Sequence, residues 1–361
     1  MNAPSPGAQP KWLPTRRNAG KLLLTLGLGA IGGYIFFVLR LPLPWMLGAM
    51  SLATIAALAG APLASWPSFR NAMVAVLGVM LGSQFNAETF ARMADWYVGI
   101  AGVAVSGGLM VVLCTLYYRK IGGYDRASAY FSAIPGGLTE MMVLGEAMGG
   151  DARKISLSHG VRILTAVFLI AFYFRLFEGY QPSGLIVEET AAADWRDGLI
   201  LFACGVIGWP VVRLLQVPAA QLVGPLALSA AAHLGGIVTA MPPAEVVAAA
   251  QVVLGATIGA RFVGAGFREI WRVIAISAGA ALIMVAIAGA FAAGLGELTG
   301  TSYTALFLAL APGGLAEMSI IALSFGTAAA FVSTHHIVRI ILLVIIAPAL
   351  FRMARAGERM E

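Results

Sequence analysis

The 361-residue chain is 60% hydrophobic and only 11% charged, with a mean hydropathy of +0.87. So few polar residues cannot cover a water-soluble globule of this size, so the composition excludes a soluble protein and predicts one embedded in a lipid bilayer. The net charge of +6 does not indicate nucleic-acid binding, because the basic residues lie between apolar segments, where membrane topology selects them.

The chain begins with a polar, proline-rich stretch that predicts a disordered cytoplasmic tail over residues 1–18. An apolar run over residues 22–39 follows it. This run has no small-residue cleavage site before Arg40, so we interpret it as a retained membrane helix and not as a signal peptide.

Twelve apolar segments of roughly membrane-spanning length divide the chain, six in each half. They lie near residues 21–39, 43–61, 70–85, 96–118, 127–149, 155–175, 196–215, 218–239, 245–260, 272–294, 303–324 and 330–351. Cys114 and Cys204 fall inside two of these segments, which does not favour a disulfide framework. The acidic stretch over residues 178–195 predicts an external linker between the halves, and no polar stretch is long enough for a separate soluble domain.

The fifth and eleventh segments differ from the others because each contains Pro-Gly-Gly near its middle. Proline removes a backbone donor and glycine disfavours the helix, so both segments must break there. A broken segment can cross the bilayer as two half-helices or turn back as a re-entrant hairpin. The positive-inside rule favours hairpins, because that topology places more Lys and Arg residues on the cytoplasmic side.

Two hairpins leave five crossings in each half, and an odd number turns the second half upside down relative to the first. The predicted fold is therefore an all-α polytopic membrane protein with about ten transmembrane helices, in two inverted repeats over residues 19–177 and 196–352. Residues 353–361 form a second tail, and both termini are predicted to be cytoplasmic. Inverted repeats with broken helices that meet near the bilayer midplane are typical of secondary transporters.

A duplicated motif relates the two halves at a fixed offset of 177 residues. It reads AIPGGLTEM over residues 133–141 and LAPGGLAEM over residues 310–318, and Ser-x-x-His-x-x-Arg follows each copy. Polar groups are costly inside apolar sequence, so a motif repeated there predicts the functional site. The candidate residues for binding a substrate or ion are Pro135, Gly136, Gly137, Glu140, His159, Arg162, Pro312, Gly313, Gly314, Glu317, His336 and Arg339.

Each Pro-Gly-Gly allows a second half-helix to begin near the midplane, with unpaired N–H groups and the positive end of its dipole. Such an end binds anions, although a simple packing kink is an alternative. Glu140 and Glu317 lie three residues beyond the glycines, where an acidic side chain caps a first turn. They could also carry a proton or bind a monovalent cation, and the two roles can coexist.

His159 and Arg162 lie on one face of their helix, as do His336 and Arg339, because each pair is spaced i, i+3. An arginine in lipid must face a carboxylate, a substrate anion or water. One interpretation is an ion pair of each arginine with a motif glutamate. In the other, a substrate carboxylate or a transferred proton competes for the arginine while the histidines titrate.

The sequence does not favour an enzyme. Its four histidines form no His-Glu-x-x-His motif, and it has no Cys-x-x-Cys, nucleotide-binding loop or Gly-x-Ser-x-Gly element, so no cofactor is predicted. Neighbouring His335 and His336 diverge by about 100° on a helix and cannot both face one metal ion. His233, alone on an apolar segment, is interpreted as a hydrogen-bonded packing residue.

The doubled Pro-Gly-Gly-Leu-x-Glu-Met motif, each copy followed by Ser-x-x-His-x-x-Arg, resembles the bacterial AbrB-type inner-membrane family over residues 22–352. The resemblance implies a duplicated multi-pass protein of the bacterial inner membrane and supplies no substrate. Family members carry labels that name an ammonia monooxygenase or a regulator of aidB expression. The scarcity of metal ligands does not support the first label, and nothing here resembles the small soluble DNA-binding regulator of the same name.

From these patterns we expect a secondary-transporter-like protein that moves a small anionic organic solute, coupled to a proton or monovalent cation. The solute would lie between the two Pro-Gly-Gly tips. A membrane sensor or regulatory protein that affects gene expression is the alternative, and a membrane monooxygenase subunit is a third hypothesis. The sequence is also compatible with a homo-oligomer.

Overall fold

The computed structural model describes residues 16–179, 194–264, 267–324 and 329–357. Most of the predicted N-terminal tail and acidic linker, and the last four residues, lie outside these ranges. The first helix begins at Arg16 and the last continues to Gly357, so both are longer than the predicted repeat boundaries.

The described part of the chain is built from helices and contains no strand. The first half forms α1 (Arg16–Val38), α2 (Ala49–Leu58), α3 (Pro67–Gly82), α4 (Ala87–Arg92), α5 (Tyr97–Lys120), α6 (Arg126–Ala133), α7 (Leu138–Ala147) and α8 (Ala152–Phe177). The second half forms α9 (Trp195–Leu214), α10 (Ala220–Leu234), α11 (Ala244–Gly259), α12 (Phe267–Thr299), α13 (Tyr303–Leu310), α14 (Leu315–Ser324) and α15 (Ala329–Gly357). Short helical turns, Pro44–Gly48, Met93–Trp96 and Ala260–Phe262, precede α2 and α5 and follow α11.

The duplication read from the motif extends to the secondary structure. The bounds of α3, α6 and α7 recur in α11, α13 and α14 at the same 177-residue offset. Even the caps correspond, since Asp125 accepts a hydrogen bond from the Ser128 backbone N–H at the start of α6, and Ser302 accepts one from Ala305 at the start of α13. Both caps satisfy a donor that the first turn leaves free.

Within the described ranges, seven helices are long and apolar enough to cross a membrane. They include α1, α5, α8, α9, α11, α12 and α15. Shorter apolar helices at Pro44–Leu58, Pro67–Gly82 and Ala220–Leu234 occupy three further predicted spans. The chain is an all-α polytopic membrane protein.

The helices form two bodies, and each body takes half of its helices from each copy. In the first, the panel, α3 packs along α10 and α2 along α11, with α1 and α9 at the periphery. In the second, the hairpin body, α12 packs against α5, α8 and α13. The helices α6 and α7 pack against α8, and α13 and α14 pack against α15. Backbone contacts between the panel and the hairpin body are fewer than those within each body, and they join α3 to α14 and α15 and the turn after α11 to α8. Side chains also pack across this boundary, since the Phe36 ring of α1 lies 6.4 Å from the Phe168 ring of α8.

Candidate functional site

In the first copy, α6 and α7 lie side by side as a hairpin. The Asp151 backbone N–H, beyond the end of α7, donates to Ser128 Oγ in the first turn of α6 at 2.8 Å. Gly145 in α7 lies so close to Phe131 in α6 that an added Cβ would come within 3.1 Å of the Phe131 Cβ, and it would also meet Ile155 of α8. A broken helix that crossed straight through would hold Gly145 and Phe131 roughly 20 Å apart at 1.5 Å rise per residue. The first broken segment is therefore a hairpin with its tip at Pro-Gly-Gly.

The two hairpins approach each other from opposite ends of the long helices. α8 begins beside the first hairpin, and near its other end the Phe174 ring lies 6.0 Å from the Phe307 ring in α13. α15 runs the other way, because near its end the Phe351 ring lies 5.4 Å from the Phe131 ring in α6. An inverted repeat produces this arrangement, and it directs the two Pro-Gly-Gly tips toward one another.

A cavity of about 160 Å³ lies between the tips, at the boundary between the panel and the hairpin body. Nine of the twelve candidate residues line it: Pro135, Gly136, Gly137, Glu140, Arg162, Gly313, Gly314, Glu317 and Arg339. The other three, Pro312, His159 and His336, are not on its wall.

The two motif arginines bind backbone carbonyls and not the motif glutamates. Arg162 donates to the Ile134 carbonyl at 2.7 Å, and Arg339 donates to the equivalent Ala311 carbonyl at 2.6 Å. Each carbonyl lies at the end of the first helix of its hairpin, α6 or α13, where the last turn of a helix leaves its carbonyl groups without intrahelical partners. The predicted ion pairs are absent, since no described arginine nitrogen lies within 4.0 Å of either motif carboxylate.

The motif histidines also hold the hairpins to the long helices. His159 donates from Nε2 to the Phe131 carbonyl at 2.8 Å, and His336 donates to the Leu308 carbonyl at 2.9 Å. His336 Nδ1 accepts a hydrogen bond from Arg339 at 2.9 Å, so this ring is the neutral tautomer. The hypothesis that these histidines titrate at the site is therefore not supported for His336, and both side chains are fully buried away from the cavity.

Glu140 and Glu317 occupy the third positions of α7 and α14, and each carboxylate folds back against the glycine that precedes its helix. Each carboxylate thus lies where a capping glutamate would, and the capping role stays a prediction. Both side chains also line the cavity, which keeps the second role open. Their burial differs, because Glu317 is only 6% exposed whereas Glu140 is half-buried.

Arg70 and Arg261 line the same cavity, although they are not among the twelve residues that the motif predicted for the site. Sequence reasoning counted both as loop charges that report topology. Arg70 lies in the first turn of α3 and Arg261 in the turn after α11, and both are half-buried. Both Glu140 and Glu317 attract Arg70 electrostatically. The only signal in the sequence was that these arginines stand at the ends of apolar segments.

Other candidate residues have structural roles. His233 places Nδ1 at 2.8 Å from the Ser229 carbonyl and Nε2 at 3.1 Å from the Ala240 carbonyl, and a ring with one N–H donates to one of them, in agreement with the packing interpretation. Cys114 and Cys204 are both free and buried, as expected. No group of three His, Cys, Asp or Glu side chains that could hold a metal occurs among the described residues.

The fold and the cavity define a duplicated polytopic membrane protein with a charged site between two opposed hairpins. A family model described as "Transition state regulatory protein AbrB" matches residues 45–355, and the chain belongs to this family. It is 26% identical over 359 residues to "Uncharacterized protein YhjN" of Bacillus subtilis (strain 168), covering 93% of this chain and 94% of the relative. It is 22% identical over 335 residues to "Putative regulator AbrB" of Escherichia coli (strain K12), covering 92% and 93%.

Proposed function

We propose that the protein is a secondary transporter that moves a small anionic solute through the cavity between the two hairpin tips, coupled to protons or a monovalent cation. The observation that carries this proposal is the charge inside the apolar body. Six charged side chains line one cavity of about 160 Å³: Arg70, Arg162, Arg261, Arg339, Glu140 and Glu317. Ionisable groups at membrane depth are costly and generally mark a solute or ion pathway.

The cavity is suited to an anion for two reasons. The first turns of α7 and α14 both border it, so unpaired backbone N–H groups and the positive ends of two helix dipoles converge there. In addition, arginines outnumber glutamates on its wall by four to two. An anion would neutralise charge that the protein does not neutralise itself.

Glu140 and Glu317 give the site a means of coupling. The charged groups that face them across the cavity are Arg70, Arg162, Arg261 and Arg339. Protonation of either glutamate removes a negative charge from the wall, so an anion then binds more tightly. We therefore expect affinity for the anion to rise as the pH falls and the solute to move in the same direction as protons. A monovalent cation between the carboxylates would act in the same sense.

The two-body architecture provides the movement that transport requires. The cavity lies where the panel meets the hairpin body, and backbone contacts across this boundary are fewer than those within either body. The hairpins enter from opposite ends, so a shift of one body against the other would open the cavity to one side at a time. We place both termini on the cytoplasmic side of the bacterial inner membrane, as the distribution of Lys and Arg predicts.

Flux in proteoliposomes tests the proposal. Purified protein is reconstituted, and uptake of radiolabelled succinate, malonate and phosphate is measured with and without an inward proton gradient. We expect the gradient to increase uptake of at least one anion, and Glu140→Gln and Glu317→Gln to abolish that increase. Glu88→Gln is the matched control, because Glu88 is exposed and pairs with Arg92 at 2.9 Å on the surface. No uptake or counterflow of any anion would refute transport.

The second candidate function is a membrane sensor that binds the anion without moving it. The name of the Escherichia coli relative, which contains the word "regulator", favours this candidate. The same preparations distinguish the two functions: saturable binding without flux indicates a sensor, and binding with flux indicates a carrier.

A further inference from the structure

The two motif arginines are hydrogen-bonded to very different extents. Arg339 donates to the Leu310, Ala311 and Gly313 carbonyls and to His336, at 2.6 to 3.3 Å. The hydrogen bond of Arg162 to a described residue goes to Ile134 alone. A guanidinium has five N–H donors, so Arg162 keeps most of its donors for another partner. The side chain is only 2% exposed, and its Nε is buried without an acceptor, as is the Nε of Arg339, so the two arginines differ in their terminal nitrogens.

Arg70 and Arg261 add two further guanidinium groups from the panel, and the duplication does not generate them. At the 177-residue offset, Val247 stands opposite Arg70 and Gln84 opposite Arg261. The two arginines repel each other across the cavity, and Arg261 Nε is buried without an acceptor. Both carboxylates attract Arg70, but in the described structure neither comes within 4.0 Å of a nitrogen of its guanidinium, so no ion pair forms. Space for a ligand therefore separates the charges.

We propose that Arg70, Arg162 and Arg261 form an anion-binding cluster that selects a compact anion with at least two negative charges, such as a short dicarboxylate or a tetrahedral oxyanion. This inference rests on the proposed site and specifies what it binds. Four arginines against two glutamates leave a formal excess of two positive charges on the wall, which a dianion balances and a monoanion does not. Arg339 contributes its charge, but both of its terminal nitrogens already donate to the protein.

The size of the cavity limits the ligand. A buried cavity of about 150 Å³ is large enough for benzene, so about 160 Å³ admits a molecule of roughly six to eight non-hydrogen atoms. Malonate and succinate fit this limit, and so do phosphate and sulfate. The planar guanidinium group of arginine binds both carboxylates and phosphates with paired hydrogen bonds. The cluster therefore suits a dicarboxylate as well as a tetrahedral oxyanion.

The cluster also connects the panel to the hairpin body. Arg70 and Arg261 belong to the panel, whereas Arg162 belongs to α8 of the hairpin body. A dianion that binds all three would join the two bodies, replacing repulsion between arginines with attraction to a shared ligand. The bound protein should therefore resist heat better than the empty one.

Thermal unfolding of the full-length protein in detergent, at fixed pH and ionic strength, tests this inference. Phosphate, sulfate, malonate and succinate are titrated against propionate and chloride. We expect saturable stabilisation by at least one dianion, with an affinity about tenfold or more above that for propionate, because propionate lacks the second charge. The preferred dianion tells a dicarboxylate site from an oxyanion site. The proposal would be overturned if propionate stabilised the protein as much as malonate does, or if none of the dianions stabilised it.

Arginine variants test which residues of the cluster bind the dianion. Arg70→Gln, Arg162→Gln and Arg261→Gln should each weaken dianion binding about tenfold or more, since each removes charge-assisted hydrogen bonds. Arg92→Gln makes the same charge change on an exposed side chain and should leave binding unchanged. Where a glutamine variant does not fold, the lysine variant keeps the charge and loses the fork, and it should also bind more weakly. Wild-type affinity in the three cluster variants would refute the assignment.

The outcome also separates this inference from the transport proposal. Dianion binding without flux refutes the carrier and leaves the cluster intact. Proton-driven flux of a monovalent solute, with no dianion binding, refutes the cluster and leaves the carrier intact.

Discussion

The two copies of the hairpin motif share their backbone but differ in how completely their polar groups are used. In the second copy, Arg339 donates four hydrogen bonds and Glu317 is almost fully buried. In the first copy, Arg162 donates one to a described residue, and Glu140 is half-buried. Both copies carry the same Pro-Gly-Gly, Glu, His and Arg, although Thr139 stands where the second copy has Ala316. The difference in hydrogen bonding and burial therefore comes from the residues around these shared groups.

This difference suggests a division of labour between the copies. A buried arginine whose two terminal nitrogens both donate to the protein fixes the hairpin that it holds, whereas one with a free terminal nitrogen can bind a ligand. We therefore expect the second hairpin to form the rigid wall of the site and the first hairpin to be the side that binds. The predictions below test this division, beginning with the largest expected effect.

Replacing the second arginine should damage the fold far more than replacing the first. Arg339→Gln leaves three carbonyls and one imidazole without their donor, and we expect it to lower the free energy of unfolding by about 3 kcal/mol or more. Arg162→Gln should cost less than half as much, because one such bond is lost. Thermal or denaturant unfolding in detergent without added anion measures both. Equal losses would contradict the division.

The packing between copies should be sensitive at a single glycine. Gly255 in α11 packs directly on the Met46 carbonyl, so Gly255→Ala must push α11 away from the start of α2. We expect a loss of about 1–3 kcal/mol in the free energy of unfolding. Gly107 in α5 has open space where a methyl group would lie, so Gly107→Ala is the matched control and should be neutral or slightly stabilising. A neutral Gly255→Ala would mean that the panel adjusts freely.

The histidines should show the same asymmetry at a smaller scale. His336→Ala removes a bond to Leu308 and a bond from Arg339, whereas His159→Ala removes the bond to Phe131. At about 1 kcal/mol for each hydrogen bond, the first change should cost about twice as much as the second. Paired unfolding curves give the difference. A larger loss for His159→Ala would reverse the assignment of the rigid copy.

The motif serines should differ in access with little change in stability. Ser156 lines a second cavity of about 290 Å³ together with Arg153 and Arg261, whereas Ser333 is fully buried and donates to the Ala329 carbonyl. A charged thiol reagent should label Ser156→Cys about tenfold or more faster than Ser333→Cys, because reactivity follows exposure. The wild-type protein, whose two cysteines are buried, gives the background. Equal labelling rates would show that the second hairpin is as open as the first.

Much of the architecture could be predicted from the sequence because its signals are local. Proline and glycine break a helix wherever they occur, so the breaks at Pro135 and Pro312 followed from the residues alone. The partners of the arginines could not be predicted. Arg162 and Arg339 are identical in the motif, and the choice between a glutamate and a carbonyl depends on which acceptor the folded hairpin places within reach.

The cavity arginines show the same limit. Arg70 and Arg261 are separated by most of the chain and share no motif, so sequence reasoning treated them as loop charges. Only the packing of α3 and α11 beside the hairpin tips brings them to the wall of the site.

By itself, the sequence determined a membrane-embedded, duplicated helical protein with two broken segments, because hydropathy, repeat offset and helix-breaking residues act over short distances. Only the tertiary structure decided that the first broken segment turns back, that the two tips enclose a cavity, and which charges reach it. The physical reason is that burial and hydrogen-bond partners depend on contacts between distant segments of the chain. Two closely similar motifs therefore meet different neighbours once the chain has packed.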